Sequence, residues 1–211
     1  FFGGMEMSRA IADVLSGECD PGGRLPIVYP RRLKDSPAMR DYAPVNGVQK
    51  YTEGEWFGWR GQARAGVEPL IPFGHGLSYG DSEWGAPRVV VDRAWPKCEV
   101  TVPVSCVSAR PVTVVVQCYV RKVGDTNPPR LAGWAKHTLT SSSASELVIN
   151  IPWTAFRRWN SARRAWHLAG GKWEIVVAAS SLDVRARLTV EIDESESAPS
   201  RGSDQPPDHP G

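Results

Sequence analysis

Val112-Thr113-Val114-Val115-Val116-Gln117-Cys118-Tyr119-Val120 is the stretch that decides the fold. Its β-branched and aromatic side chains are stiff at χ1 and fit a pleated surface better than a helix. The run has company. Val89–Val91, Val100–Val104, Leu147–Ile151, Trp173–Ala178 and Ala186–Ile192 share its texture, with Gly, Pro, Ser and Asn clusters between them. Pro103 interrupts one run and brings no N–H, so an edge or a bulge is expected there.

Spread over about a hundred residues, these runs predict a β-sandwich of immunoglobulin or fibronectin type. The texture upstream is different. Met7, Ala10, Ile11, Val14 and Leu15 recur at helical spacing, with Glu6 expected in the first turn and Gly17 placed for a left-handed cap. Asp20-Pro21-Gly22 then reads as a turn, and Ile27–Tyr29 as a short buried strand between Pro26 and Pro30. A helix, a turn and one strand are the ingredients of the end of an α/β sheet, and they cannot bury a core alone.

Between these regions, Arg31–Gln49 is a polar surface excursion. Lys50–Tyr79 is denser, with Tyr51-Thr52-Glu53-Gly54, Phe57-Gly58-Trp59-Arg60 and Pro72-Phe73-Gly74-His75-Gly76-Leu77-Ser78-Tyr79. Glycines alternating with large aromatics predict a segment that is ordered without being regular.

The 211 residues carry a net charge of +2 with both signs interspersed, which gives no electrostatic footprint for nucleic acid. No apolar run approaches the ~20 residues that cross a bilayer, so no membrane partner is expected. The four cysteines, Cys19, Cys98, Cys106 and Cys118, lack close C-x-x-C spacing, and no metal site is expected. Cys98 and Cys106 on one strand cannot be bridged; Cys106 and Cys118 could face each other across a sheet, while free buried thiols are the simpler reading.

Taken together, these stretches resemble the C-terminal portion of glycoside hydrolase family 3 enzymes, a group with many β-glucosidases and β-xylosidases. Gly4–Gly17 is similar to the family's G-Q-E-G-G-N-A-I-A-D-V-L-F-G, Asp20–Pro26 to N-P-S-G-R-L-P, and Tyr51–Gly54 with Gly58–Arg60 to Y-x-E-G and G-Y-R. Pro72–Tyr79 matches P-F-G-H-G-L-S-Y without a change. Pro129–Lys136 and Gly171–Ser181 resemble motifs of the family's fibronectin III-like domain. Departures include Met5-Glu6-Met7-Ser8-Arg9 in place of small residues and Trp59 in place of a tyrosine.

The residues and the resemblance together predict a mostly β chain in four parts, the last of them from its Ser, Pro, Asp and Glu rich composition alone. These are the remnant of the α/β sandwich domain (1–30), the linker (31–86), the fibronectin III-like β-sandwich (87–193) and a disordered tail (194–211). The resemblance implies removal of terminal β-linked sugars with retention, by an aspartate nucleophile and a glutamate acid/base about 5–5.5 Å apart. Both are expected upstream of Phe1, so no residue of this chain inherits a catalytic role, and no cofactor is expected. A β-glycoside or oligosaccharide is the implied partner of the complete enzyme. The rival reading is a non-enzymatic fibronectin III-like binding or scaffolding module.

The motif residues singled out are Glu53, Arg60, Phe73, Gly74, His75, Gly76 and Tyr79, all as structural pins. Glu53 is expected to bond Arg60 or Arg24. His75 reads as a packed turn residue, with a place near a substrate pocket as the alternative. Trp56 and Trp59 are expected to pack between the two domains rather than to stack on sugar. Trp153, Phe156, Trp159 and Trp166, interleaved with Arg157, Arg158, Arg163 and Arg164, read as a surface loop with local aromatic packing.

Overall fold

The computed structural model describes residues 3–92 and 97–193. The tail 194–211 lies outside them. Helix α1 (Met7–Ser16) ends as its sequence dictates: Gly17 adopts φ 81° and its N–H returns to the Val14 carbonyl. Glu6 occupies the cap position instead of the first turn, and its side chain makes no capping bond.

The strand expected at Ile27–Tyr29 reduces to one bridge, Tyr29 to Ile71. Pro26 and Pro30 bracket it and give a ladder no N–H to extend through. The excursion after it holds two short 3-10 turns, Leu33–Asp35 and Pro37–Asp41. Helix α2 (Gly58–Arg64) forms inside the stretch expected to be irregular.

The sandwich follows as β1 (Ser82–Trp84), β2 (Arg88–Asp92), β3 (Lys97–Cys106), β4 (Val112–Lys122), β5 (Arg130–Leu139), β6 (Ala144–Ile151), β9 (Gly171–Ala178) and β10 (Val184–Ile192). A hairpin of β7 (Arg157–Asn160) and β8 (Ala165–Leu168) is inserted before β9. In the first sheet β3 is central, with β6 on one side and β1 and β2 in succession on the other. The second sheet runs β10-β9-β4-β5, and all its pairings are antiparallel. Because β1 already pairs with β3, the sheet begins at Ser82, ahead of the boundary expected at residue 87.

Pro103 sits where its chemistry costs least. Its carbonyl accepts the Gly85 N–H at 2.9 Å, in the gap between β1 and β2. The N–H and C=O of one strand residue point the same way, so the missing donor faces that break in the ladder.

Val100, Val102, Val116, Ile149, Ile175 and Trp173 meet between the sheets with Cys98 and Cys118. Each large apolar side chain buried in this way stabilises the fold by about 1.5–3 kcal/mol. The Trp173 N–H donates to the Ala169 carbonyl at 2.8 Å. The 153–169 segment contributes more than the surface loop expected of it. A 3-10 turn, Trp153–Phe156, drives Phe156 fully into the core, edge-on to Trp173 with centroids 5.3 Å apart. Only Trp159 and Trp166, opposite each other in the β7–β8 hairpin, pack locally at the surface.

All four thiols are free. Cys106 and Cys118 lie in different sheets, and the thiol facing Cys118 electrostatically is Cys98. Burial pushes Cys98 up to about 11 and Cys118 up to about 12, so neither is a nucleophile near neutral pH.

Candidate functional site

Strand β4 is buried on both faces from Val112 to Val120, which a sheet with one solvated face does not show. One face meets the first sheet. The other, carrying Thr113, Val115, Gln117 and Tyr119, lies beneath residues 20–26 and 59–79. Polar contacts between segments far apart in sequence gather at this junction.

Asp20, held in its Pro-Gly turn, places one carboxylate oxygen 2.6 Å from the Ser78 hydroxyl and 2.8 Å from the Tyr79 N–H. Its other oxygen accepts the Thr113 N–H at 3.0 Å. Three segments converge on one carboxylate. Burial pushes its pKa up, but the donors from Ser78, Tyr79 and Thr113 outweigh burial and hold it below its usual value. The Tyr79 hydroxyl then reaches the Val14 carbonyl at 2.6 Å, fastening α1 to the same point.

One strand position further along this face but one, Val115 separates Thr113 from Gln117, and Gln117 is satisfied on both ends of its amide. Its Nε2 donates to the Gly74 carbonyl at 3.0 Å and the Ala179 carbonyl at 2.8 Å, while Oε1 accepts the Tyr119 hydroxyl at 2.6 Å. Gly74, at φ 79°, is the residue this approach requires, since a Cβ there would overlap the Gln117 amide. Backbone bonds from the Gly74 N–H to the Leu25 carbonyl (2.8 Å) and from the Leu25 N–H to the His75 carbonyl (2.9 Å) pin the two segments together. Trp59 stacks on Phe73 at 5.3 Å and meets Tyr119 edge-on at 5.6 Å, so it packs the linker against the sandwich.

The motif residues therefore divide. Phe73, Gly74, His75, Gly76 and Tyr79 come together on the β4 face, with Gly76 pressed against the Gly23 carbonyl and Arg24. Arg60 lies at the near edge and pairs with Glu55 at 3.8 Å, not with Glu53. The turn after Glu53 explains the exchange: the Trp56 N–H bonds the Glu53 carbonyl, Gly54 turns left-handed, and Glu55 is the carboxylate carried toward α2. Arg24 turns elsewhere, donating to the carbonyls of Gly23 (2.9 Å) and Thr113 (3.2 Å). Trp56 takes the guanidinium groups of Arg60 and Arg64 over its ring at 4.6 and 4.3 Å. Asp20, Ser78, Thr113 and Gln117 escaped the sequence reading as a set; the available signal was a threonine and a glutamine inside an otherwise apolar strand.

One cleft, about 460 Å³, carries two carboxylates, Glu83 and Glu146. Glu146 accepts a bond from each of the two terminal guanidinium nitrogens of Arg88, at 2.8 and 2.6 Å, and this bonding holds its pKa below the usual range. A general acid for glycoside cleavage needs the opposite shift. Among the described residues, no group of three or more His, Cys, Asp or Glu is placed to hold a metal ion.

This geometry defines a class, a fibronectin-like sandwich clasped to the closing elements of another domain. Residues 1–79 match the glycosyl hydrolase family 3 C-terminal domain, and residues 114–181 the fibronectin type III-like domain. A β-glucosidase of Rhizobium radiobacter is 32% identical over 200 residues, covering 91% of this chain and 24% of its own length. Thermostable β-glucosidase B of Acetivibrio thermocellus is 30% identical, covering 91% of this chain and 26% of that protein. The β-glucosidase of Streptomyces venezuelae solved with D-glucose superposes with a TM-score of 0.82 at 29% identity, over 88% of this chain and 24% of that one. The family 3 β-glucosidase of Bifidobacterium adolescentis gives 0.82 at 28%, over 94% and 30%. The chain belongs to glycosyl hydrolase family 3, as its C-terminal portion with the fibronectin type III-like domain. It spans about a quarter of the length of the curated relatives it matches.

Proposed function

We propose that this chain serves as the C-terminal part of a β-glucosidase-like hydrolase that removes terminal β-linked sugars with retention, and that it is catalytically silent alone. The observation that carries the reading is coverage: sequence and fold follow β-glucosidases over some nine-tenths of this chain but about a quarter of theirs. The local chemistry supports it. Retaining cleavage needs one carboxylate to attack and one carboxyl to protonate the leaving oxygen, whereas Glu146 is neutralised by Arg88 and Asp20 is occupied by three donors.

On this reading the junction around Asp20 and Gln117 sets the sandwich at a fixed angle to the domain whose last elements are α1 and the Tyr29 bridge. Five of the motif residues, Phe73, Gly74, His75, Gly76 and Tyr79, act there as structural pins. The test is hydrolysis of an aryl β-glucoside by the purified chain. No release above the buffer blank is expected, and turnover that survives repurification would overturn the silence.

A further inference from the structure

We infer that the cleft between β5 and the Gly22–Pro26 turn binds a sugar residue bearing a carboxylate, stacked on the Trp134 indole with its charge toward Arg24 and Lys136. The cleft encloses about 340 Å³, with Pro26, Phe73, Leu131 and Trp134 as its apolar walls. That volume lies at the lower end of the ~300–1,000 Å³ typical of small-molecule sites, which suits a sugar better than a protein segment.

Trp134 distinguishes this place from the rest of the sheet's outer face. Tyr119, on the neighbouring strand, is covered by Trp59 and Phe73, whereas Trp134 is 62% exposed on a rigid strand. A broad, flat, electron-rich face suits the C–H side of a pyranose ring. Charge narrows the class further. Arg24 and Lys136 line the cleft and no acidic residue does. The Arg24 guanidinium is oriented by two neutral carbonyls, those of Gly23 and Thr113, and feels Asp20 only electrostatically. Lys136 follows Trp134 by two positions and so projects from the same face of β5. A neutral sugar has no use for this charge; a carboxylate does, through charge-assisted hydrogen bonds.

The inference is independent of the hydrolase reading and is tested on the same full chain by NMR, with the indole N–H signal of Trp134 identified by its loss in Trp134→Ala. Titration with methyl β-D-glucuronide should shift that signal saturably, and methyl β-D-glucoside and sodium acetate at equal ionic strength should not reproduce the shift. Lys136→Gln, an exposed substitution, should weaken glucuronide binding about three- to fivefold, the range of a solvent-exposed ion pair. The wild-type affinity should also fall as salt rises. An absent or non-saturable shift, equal response to the neutral glucoside, reproduction by acetate, or unchanged affinity in Lys136→Gln would each overturn the proposal.

Discussion

Helix α1 and strand β4 are both rich in apolar residues, yet they end in opposite environments. Every residue of β4 from Val112 to Val120 is buried, while α1 has no buried residue, with Met7 44% and Leu15 78% exposed. Periodicity states which face of an element is apolar; what covers that face is a property of its neighbours. For β4 those neighbours are β9, β5, the first sheet and the linker. For α1 the described attachments are the Tyr79 hydroxyl and the turn that follows it.

The comparison breaks most sharply in the core. Trp173→Ala should cost about 3–5 kcal/mol, because it opens a cavity under Phe156 and removes the donor to Ala169. Urea unfolding measures the loss, and thiol labelling localises it: native wild-type chain should react at Cys19 alone, and the variant at Cys98, Cys106 and Cys118 as well.

A smaller effect is expected at the junction. Asp20→Ala should cost about 2 kcal/mol, since hydrogen bonds to an ionised group are among the stronger ones and the Thr113 and Tyr79 N–H groups lose their acceptor. The pH dependence has a definite sign. The folded pKa lies below the unfolded value of 3.8, so the contribution is complete above that value and disappears as pH falls through the folded pKa. Amide exchange at residues 20–26 and 74–79 should accelerate on going from pH 6 to pH 3, after correction for intrinsic rates, and Asp20→Asn should abolish that difference.

Trp59→Ala removes the stack on Phe73 and the edge contact with Tyr119, and should cost about 1–2 kcal/mol, less than a core tryptophan because Trp59 is half-buried. Its urea midpoint should drop while the sandwich keeps its far-UV spectrum. Least of all, Leu15→Ser on α1 should change stability by less than about 0.5 kcal/mol, and the amides of Met7–Leu15 should exchange far faster than those of β4. Strong protection of that helix would erase the contrast altogether.

Strands dominated by Val and Ile were readable from the sequence, because β-branched side chains report the pleat directly. Strand β5 was not. Ala132, Gly133, Ala135 and Lys136 carry little strand propensity, and the strand exists because β4 offers it a full ladder. The sequence places Phe156 in a surface loop for a related reason, since a short 3-10 turn has no periodicity to show that one of its residues points inward. The junction was half legible. Its glycines and aromatics stood out, but the carboxylate that joins them lies 58 residues from Ser78 and 93 from Thr113, and no local pattern records such a pairing.

Gln117 carries a practical consequence for building chimaeras. Its amide is completed by a linker carbonyl, a β9–β10 loop carbonyl and a neighbouring phenol, so a sandwich excised at residue 87 keeps two of these partners and loses the third. Transplanting the domain with residues 20–26 and 72–86 attached should preserve its folding cooperativity, whereas a graft cut at the apparent boundary carries a polar face designed to be dry.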